Sequence, residues 1–264
     1  GEALEHGQQA VDVFLRSGDD QVWLSRAHNT LGITYASAGD IDAGLAHTLK
    51  HLELSKQIGD QYSEAAAYNN LGMHYKESGQ STESRRAFEQ AYQKFEECGK
   101  AFGSSIALMN LAPFYAEFGE YEAGIEMLIK AEGYFQAENF TNHYLMACER
   151  RAQLYVLSDR ADEAIQHLEY GLSYYRQKAP SSGNFENFPS LLIAISEWHI
   201  SYGDVRDAFP YLFELLDIAE TIEKPVIKWR IHQALSNAYR TVGDFRNAYL
   251  HLEIFHALKE QAFE

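Results

Sequence analysis

The sequence is poor in cysteine and proline, and each shortage narrows the possible structures. Cys98 and Cys148 are the only two cysteines among 264 residues, and neither lies in a CxxC or Cys/His spacing that binds zinc. We therefore expect two reduced, packed thiols and no disulfide framework. Only five prolines occur, which leaves room for long uninterrupted helices.

Basic residues and long apolar runs are also scarce. The chain has 22 Lys and Arg against 38 Asp and Glu, a formal charge of -16. Nucleic-acid binding needs clustered basic side chains, so a nucleic-acid partner is not expected, and a cationic or neutral partner fits better. No apolar stretch approaches the roughly 18 to 20 residues that span a bilayer, and the N-terminus has no signal pattern. We expect no membrane partner and a cytoplasmic location.

The common catalytic motifs are missing as well. The sequence contains no GxSxG, P-loop or GxGxxG element. His47 and His51 have the one-turn spacing of a two-histidine metal site, but no Glu lies between them and no third ligand is evident, so we expect inter-helix histidines. The segment is therefore predicted to be no enzyme and to use no cofactor or metal, and any catalytic domain would lie outside it.

What the chain does contain is one pattern that occurs six times. The first copy reads Leu-Gly-x-x-Tyr-x-x-x-Gly from Leu31 to Gly39. Later copies follow at steps of 40 residues, with one step of 44, and begin at Leu71, Leu111, Arg151, Ile195 and Leu235. Five residues after each closing position comes a small side chain, at Gly44, Ser84, Gly124, Ala164, Ala208 and Ala248. Closely packed helices need small residues at such positions.

This pattern resembles the tetratricopeptide repeat, in which small residues let an antiparallel helix A and helix B pack closely. The resemblance covers nearly the whole chain and implies an all-α, right-handed superhelical solenoid of about six and a half repeats. We expect one solenoid domain over residues 1–264. Its parts are a partial repeat at 1–18 and repeats at about 22–58, 61–98, 101–138, 141–178, 186–222 and 225–264.

The repeat departs from the family in its length. Its period of 40 residues exceeds the usual length of about 34, and no proline stands at the usual end of helix B. Gly59, Gly99 and Asn139 are predicted to end the first three full B helices in a left-handed conformation. Repeats of this length resemble those of peptide receptors, signalling adaptors and bacterial sensor proteins.

The two ends of the chain look incomplete for a solenoid. Residues 2–17 align with a helix B whose helix A is absent, and the last helix B is apolar with no polar capping helix after it. Solenoid ends need a polar cap, so we expect a fragment of a longer chain, with the terminal repeats available to form a homodimer. The final run from His256 to Phe263 is similar to the last repeat of bacterial sensor proteins, where such a helix leads into a signalling domain.

The resemblance implies that the A helices line a concave groove, in which residues one repeat apart form rows. One row carries Thr30, Asn70, Asn110 and Arg150, and the row one position earlier carries Asn29, Asn69, Met109 and Glu149. An Asn amide offers one acceptor and two donors, which match the exposed backbone of an extended peptide. Related repeats use Asn in these rows to clamp peptide backbone, which points to the same role.

Further groove candidates lie near these rows. Met73 and Gln153 fall one turn on from Asn70 and Arg150. Arg150 has the chemistry to pair with a ligand carboxylate, as in the family's carboxylate clamp, although the flanking lysines of that clamp are absent. The complete set of predicted ligand-binding residues is Asn29, Asn69, Asn70, Met73, Asn110, Arg150, Gln153, Arg230 and Asn237.

Three functions fit these features. The first is an interaction module that captures a protein or peptide in the groove. The second is a sensory or regulatory segment of a bacterial signalling protein, for example a diguanylate cyclase or histidine kinase, that acts by ligand binding or dimerisation. The third is a purely structural role in which the end helices pair between copies and the groove stays empty.

Overall fold

A computed structural model of the chain describes residues 2–17, 21–178, 187–219 and 225–261. These residues form thirteen α-helices and one short 3-10 helix, without a strand, which confirms the predicted all-α class. None of these helices is both long and apolar enough to cross a bilayer. The helices are α1 (Glu2–Ser17), α2 (Gln21–Ser37), α3 (Ile41–Ile58), α4 (Gln61–Glu77), α5 (Ser81–Glu97), α6 (Ala101–Ala116), α7 (Tyr121–Ala137), α8 (Thr141–Leu157), α9 (Ala161–Lys178), α10 (Phe188–Ser201), α11 (Ala208–Ala219), α12 (Pro225–Thr241) and α13 (Phe245–Gln261).

The 40-residue step of the sequence is visible in the helix boundaries. The A helices α2, α4, α6 and α8 begin at Gln21, Gln61, Ala101 and Thr141, and each is followed by a B helix that starts 20 residues later. The residue that closes each B helix turns the chain: Gly59, Gly99 and Asn139 have φ angles of 73°, 65° and 58°. All three predicted left-handed caps are therefore confirmed. Each cap lets the chain reverse within about three residues.

The chain divides into two compact units, Gly1–Tyr134 and Phe135–Glu264. In unit 1, α2 contacts α4 and α4 contacts α6, whereas the backbones of α3 and α5 do not approach each other in the described residues. In unit 2, α8, α10 and α12 likewise contact one another in sequence. The A helices therefore form the more tightly packed inner layer of each unit, which is the layer that lines a groove in a helical repeat protein. The boundaries predicted at residues 18, 186, 222 and 264 lie outside the described residues, and the single domain stays a prediction.

Close approach of helix A to helix B depends on the small residues of the repeat. A Cβ atom at Gly72 would lie only 2.6 Å from the ring of Phe88, which is fully buried. Ser84 donates a hydrogen bond of 2.7 Å from Oγ to the carbonyl oxygen of Gly72, so a short side chain of helix B reaches the backbone of helix A at this point. Leu31 and Leu71 open their copies of the pattern and are buried in the clusters on either side of these contacts.

The fifth repeat deviates from the others after helix A. Its closing residue Gly203 is not among the residues with positive φ, unlike Gly39, Gly79 and Gly243. A Cβ atom there would lie 2.7 Å from the Trp198 ring. The chain instead forms a 3-10 helix over Val205–Asp207 before α11 begins. Within the described residues, α10 has 14 residues and α11 has 12.

Two histidine pairs occupy equivalent places in the first and last helix pairs. His28 and His47 approach to 2.9 Å between their Nδ1 atoms, as do His232 and His251. In each pair, the second ring stacks on the Tyr of the repeat pattern. Burial, together with the nearby His47, Lys50 and His51, lowers the pKa of His28 to about 4. Burial and His251 lower the pKa of His232 to about 4 in the same way.

These pairs predict a loss of stability in mild acid. The folded pKa of His28 and His232 lies below the ordinary value of 6.5, so the folded state binds fewer protons than the unfolded state. The contribution of these two histidines to the free energy of unfolding is present above pH 6.5 and is lost as the pH falls toward 4. We expect the urea midpoint to fall between pH 7.5 and 5 in the wild type, and to fall less in the His28→Gln/His232→Gln variant. If the urea midpoint falls equally in this variant and in one carrying the exposed His256→Gln substitution, then His28 and His232 are not the cause of the loss.

The small-residue contacts predict opposite effects at two helical glycines. Gly72→Ala forces the Phe88 ring to move and should lower the free energy of unfolding by roughly 1–3 kcal/mol. At Gly133, a Cβ atom meets nothing within 4 Å among the described residues. Gly133→Ala should therefore raise the free energy of unfolding by roughly 0.5–1 kcal/mol, because Ala has the higher helix propensity. Urea unfolding of both variants measures the difference, and a stabilised Gly72→Ala protein would refute the packing account.

Candidate ligand-binding faces

The predicted asparagine rows of unit 1 are joined by hydrogen bonds. Asn70 donates from Nδ2 to Oδ1 of Asn29 at 2.9 Å, and Asn110 donates from Nδ2 to Oδ1 of Asn69 at 3.2 Å. Both bonds connect residues 41 positions apart, so the same contact links α2 to α4 and α4 to α6. We call these four side chains the asparagine ladder. The rows were predictable from the sequence, whereas the bonds that connect them were not.

The ladder still has polar atoms to offer to a ligand. Asn29, Asn69 and Asn70 are half-buried, whereas Asn110 is only 8% exposed. Among the described residues, Nδ2 of Asn29 and Oδ1 of Asn70 make no other hydrogen bond. One rung thus leaves a donor and an acceptor at a half-buried position. The assignment of amide O and N follows from the bonding pattern.

Met73 lies in less open surroundings than the groove prediction suggests, whereas Asn237 is half-buried. Met73 is half-buried and packs against the cluster that contains Phe88, Leu111 and Phe114. Asn237 in unit 2 accepts a hydrogen bond from Arg240 at 3.4 Å. Met73 contributes to the core of unit 1 as well as to the A-helix layer, so its truncation would affect stability together with any binding.

The predicted residues Gln153 and Arg230 belong to the A-helix layer of unit 2, where two acidic side chains accompany them. Arg230 on α12 donates from Nη2 to both carboxylate oxygens of Glu197 on α10, at 3.2 Å each. Gln153 on α8 lines a cavity that Glu149 and Glu197 also line. These residues were predicted from separate rows, and the fold of unit 2 brings them to one region.

Burial changes the acid–base behaviour of the adjacent pair Glu149 and Arg150. Burial raises the pKa of Glu149, the neighbouring Glu197 adds to the increase, and Arg230 and Arg150 oppose it. Burial lowers the pKa of Arg150, while Glu149 favours its charged form. Arg150 is half-buried beside an acidic residue, so its predicted role toward a ligand carboxylate competes with Glu149.

Sequence reasoning missed the acidic and aromatic part of this region. Glu149 was recognised as a member of a row, but not as a candidate, and Glu197, Trp198 and Tyr202 were not singled out. Glu197 occupies the same position of the repeat as Gln153, which was a usable signal. The two residues lie 44 positions apart, so a comparison of rows at 40-residue spacing does not align them.

Comparison with known proteins identifies the repeat. A family model described as a tetratricopeptide repeat matches residues 65–93, which cover most of α4 and α5. Residues 65–93 are a tetratricopeptide repeat. The resemblance drawn from the sequence pattern is thereby confirmed. No curated protein matches the chain by sequence.

Solved tetratricopeptide-type structures share the fold of this repeat chain at low sequence identity. BtubC (BKLC) from P. vanneervenii superposes with a TM-score of 0.71 at 15% identity, covering 83% of this chain and 91% of that one. A STAND protein with a tetratricopeptide repeat sensor from Pyrococcus horikoshii has a TM-score of 0.71 at 18% identity, covering 97% of this chain and 39% of that one. NprR in complex with its cognate peptide NprX has a TM-score of 0.62 at 14% identity, covering 95% and 71%. At these identities the similarity establishes the fold of the repeats alone.

The asparagine ladder of these repeats predicts a measurable energetic coupling. Because the Asn29–Asn70 bond is half-exposed, a double-mutant cycle with Asn29→Ala and Asn70→Ala should give a coupling of about 0.5 kcal/mol. Urea unfolding of the two single variants and the double variant measures it. A cycle between Asn70→Ala and Gln93→Ala on helix α5 serves as the control and should give a coupling near zero. Equal couplings in the two cycles would mean that the bond contributes nothing.

Proposed function

We propose that this chain is a binding module for an extended peptide, or for an extended segment of a protein, received on the inner face of the A helices. The observation that carries the proposal is the asparagine ladder, in which Asn29 and Asn70 keep a donor and an acceptor for a ligand. An extended peptide presents N–H and C=O groups at every residue, so it matches such amides without a particular sequence.

Preorganisation strengthens this proposal. A lone Asn on a helix surface samples several rotamers, and fixing it on binding costs conformational entropy. The bond from Asn70 to Asn29, and that from Asn110 to Asn69, hold these amides before a ligand arrives. Less entropy is then lost when a backbone group pairs with the remaining donor and acceptor. The argument applies to the Asn29–Asn70 rung, because Asn110 in the other rung is buried.

The comparisons support a peptide ligand without naming it. The similar NprR structure is described as a complex with its cognate peptide, which shows that this fold accepts such a ligand in another protein. The formal charge of -16 favours a cationic or neutral peptide here. Binding, and not catalysis, is the activity that we propose for this segment.

The proposal is tested with a displayed library of random 12-residue peptides selected against the whole chain. Peptides recovered on the wild type should bind the Asn29/Asn69/Asn70/Asn110→Ala variant at least about tenfold more weakly in fluorescence anisotropy, since about 1.4 kcal/mol corresponds to a factor of ten. N-methylation of single backbone amides should weaken binding more than alanine replacement of the same peptide residues.

A matched control separates ladder effects from general surface changes. Gln90→Ala/Gln93→Ala removes two exposed amides from helix α5 and should leave the affinity unchanged. If no peptide is recovered, or if the ladder variant binds as tightly as the wild type, the ladder is not a peptide site.

A second candidate function is a sensory or regulatory segment of a signalling protein. Its support is the similarity to the tetratricopeptide repeat sensor of the STAND protein, of which this chain covers 39%. A cytoplasmic location and homodimerisation through the terminal repeats go with this alternative. It requires that the reading frame continue into an output domain whose activity changes when a selected peptide is added. A concentration-dependent increase in mass would identify the homodimer.

A further inference from the structure

Unit 2 contains a cavity that the asparagine ladder does not explain. It has a volume of about 380 Å³ and lies between α8, α9 and α10. Apolar side chains form most of its wall, including Val156, Leu157 and Leu168, and Trp198 and Tyr202 add two aromatic rings. Polar groups are few and are mainly Glu149, Gln153 and Glu197. A largely apolar cavity with a few convergent polar groups has the composition of a ligand site.

The cavity follows from local sequence and from the irregular fifth repeat. Ala152 on α8, Ala164 on α9 and Ala194 on α10 line it with small side chains. The short helix α10 ends at Ser201, and after a turn the next helix B begins as a 3-10 helix over Val205–Asp207. Trp198 is fixed at the wall because its Nε1 donates a hydrogen bond of 2.7 Å to the carbonyl oxygen of Ala161. Trp198 is therefore held in a defined position at the edge of the space.

The charged groups at the cavity have unequal partners. Glu197 is paired with Arg230 through both of its carboxylate oxygens. Glu149 is half-buried and makes no hydrogen bond to any described residue, although Arg230 and Arg150 act on it at longer range. A ligand that covers this half-buried carboxylate without supplying a hydrogen-bond donor adds to the cost of its burial. A donor with positive charge, placed in the cavity, would avoid that cost.

From this arrangement we infer that the cavity binds a cationic group on an apolar stem, with Glu149 as its counter-ion and Trp198 and Tyr202 beside the stem. The lysine side chain of a bound peptide has this chemistry, and so does a free alkylamine. The peptide form of the inference rests on the proposed function. The cation site itself does not, because the cavity belongs to unit 2 and the asparagine ladder to unit 1.

Other ligand classes fit the cavity less well. An anion would meet two carboxylates, Glu149 and Glu197, with Arg230 already engaged by the second. A purely apolar ligand would cover Glu149 and leave it without a donor, which carries the desolvation penalty of the carboxylate. A cation near the faces of Trp198 and Tyr202 gains additional stabilisation from the aromatic rings.

The test is an NMR titration of the whole 15N-labelled chain. It has three tryptophans, so the indole N–H signal of Trp198 is assigned from the Trp198→Phe spectrum. The probes are Nα-acetyl-lysine methylamide, pentylamine and the neutral Nα-acetyl-norleucine methylamide. We expect saturable shifts of the Trp198 signal with the two cations, and binding of the norleucine compound at least about tenfold weaker.

Variants assign the charge to Glu149. Glu149→Gln keeps the shape of the side chain and should weaken binding of the cations by about tenfold or more, which corresponds to about 1.4 kcal/mol. Glu169→Gln removes an exposed carboxylate from α9, outside the cavity lining, and should leave binding unchanged. The thermal midpoint of each variant reports whether it is folded.

Each outcome decides a part of the inference. Tighter binding of the lysine compound assigns the cavity to a peptide side chain, and tighter binding of pentylamine assigns it to a free amine. A Trp198 signal that does not move with either cation, or equal binding to wild type and Glu149→Gln, would overturn the cation site. Peptides that bind through the asparagine ladder without moving the Trp198 signal would leave the proposed function intact and reject this inference. Cation binding at the cavity without any recovered peptide would support the cation site and reject the proposed peptide-binding function.

Discussion

The fold of each repeat depends on the close approach of helix A to helix B. At Gly72 the ring of Phe88 occupies the place of a missing side chain, and Ser84 hydrogen bonds directly to the Gly72 carbonyl. Gly32 lies in the same relation to Thr48 in the previous repeat. Because this contact fixes how the B helix supports the A helix, it also fixes which side chains of successive A helices face one another. The spacing between Asn70 and Asn29 is a consequence of that packing.

Much of the fold, and less of the candidate sites, was predictable from the sequence. The pattern around Leu31, Leu71 and Leu111 gave the repeat, and the positions of Gly59, Gly99 and Asn139 gave the turns, because both are local requirements of helix packing and backbone conformation. The asparagine rows followed from the same periodicity. Hydrogen bonds within the ladder did not, since periodicity states which residues are equivalent but not how far apart their side chains lie.

The cavity of unit 2 shows where the periodic argument fails. It lies next to Gly203, which closes the fifth copy of the pattern without a positive φ. A comparison at a constant spacing of 40 residues does not align this region with the earlier repeats. Once the four-residue insertion is allowed for, Glu197 aligns with Gln153. In a repeat protein, regular positions chiefly maintain the scaffold, so irregular positions are where a specific site is free to form.

The two candidate faces would recognise different properties of a ligand. Amides such as Asn29 and Asn70 pair with any peptide backbone and therefore contribute affinity with little selectivity. A half-buried carboxylate such as Glu149 distinguishes ligands strongly, because a neutral ligand leaves it without a hydrogen-bond donor. Affinity from a general backbone clamp and discrimination from one charged subsite are separable contributions. A substitution at Glu149 can therefore change which ligand is preferred, while the asparagines stay the same.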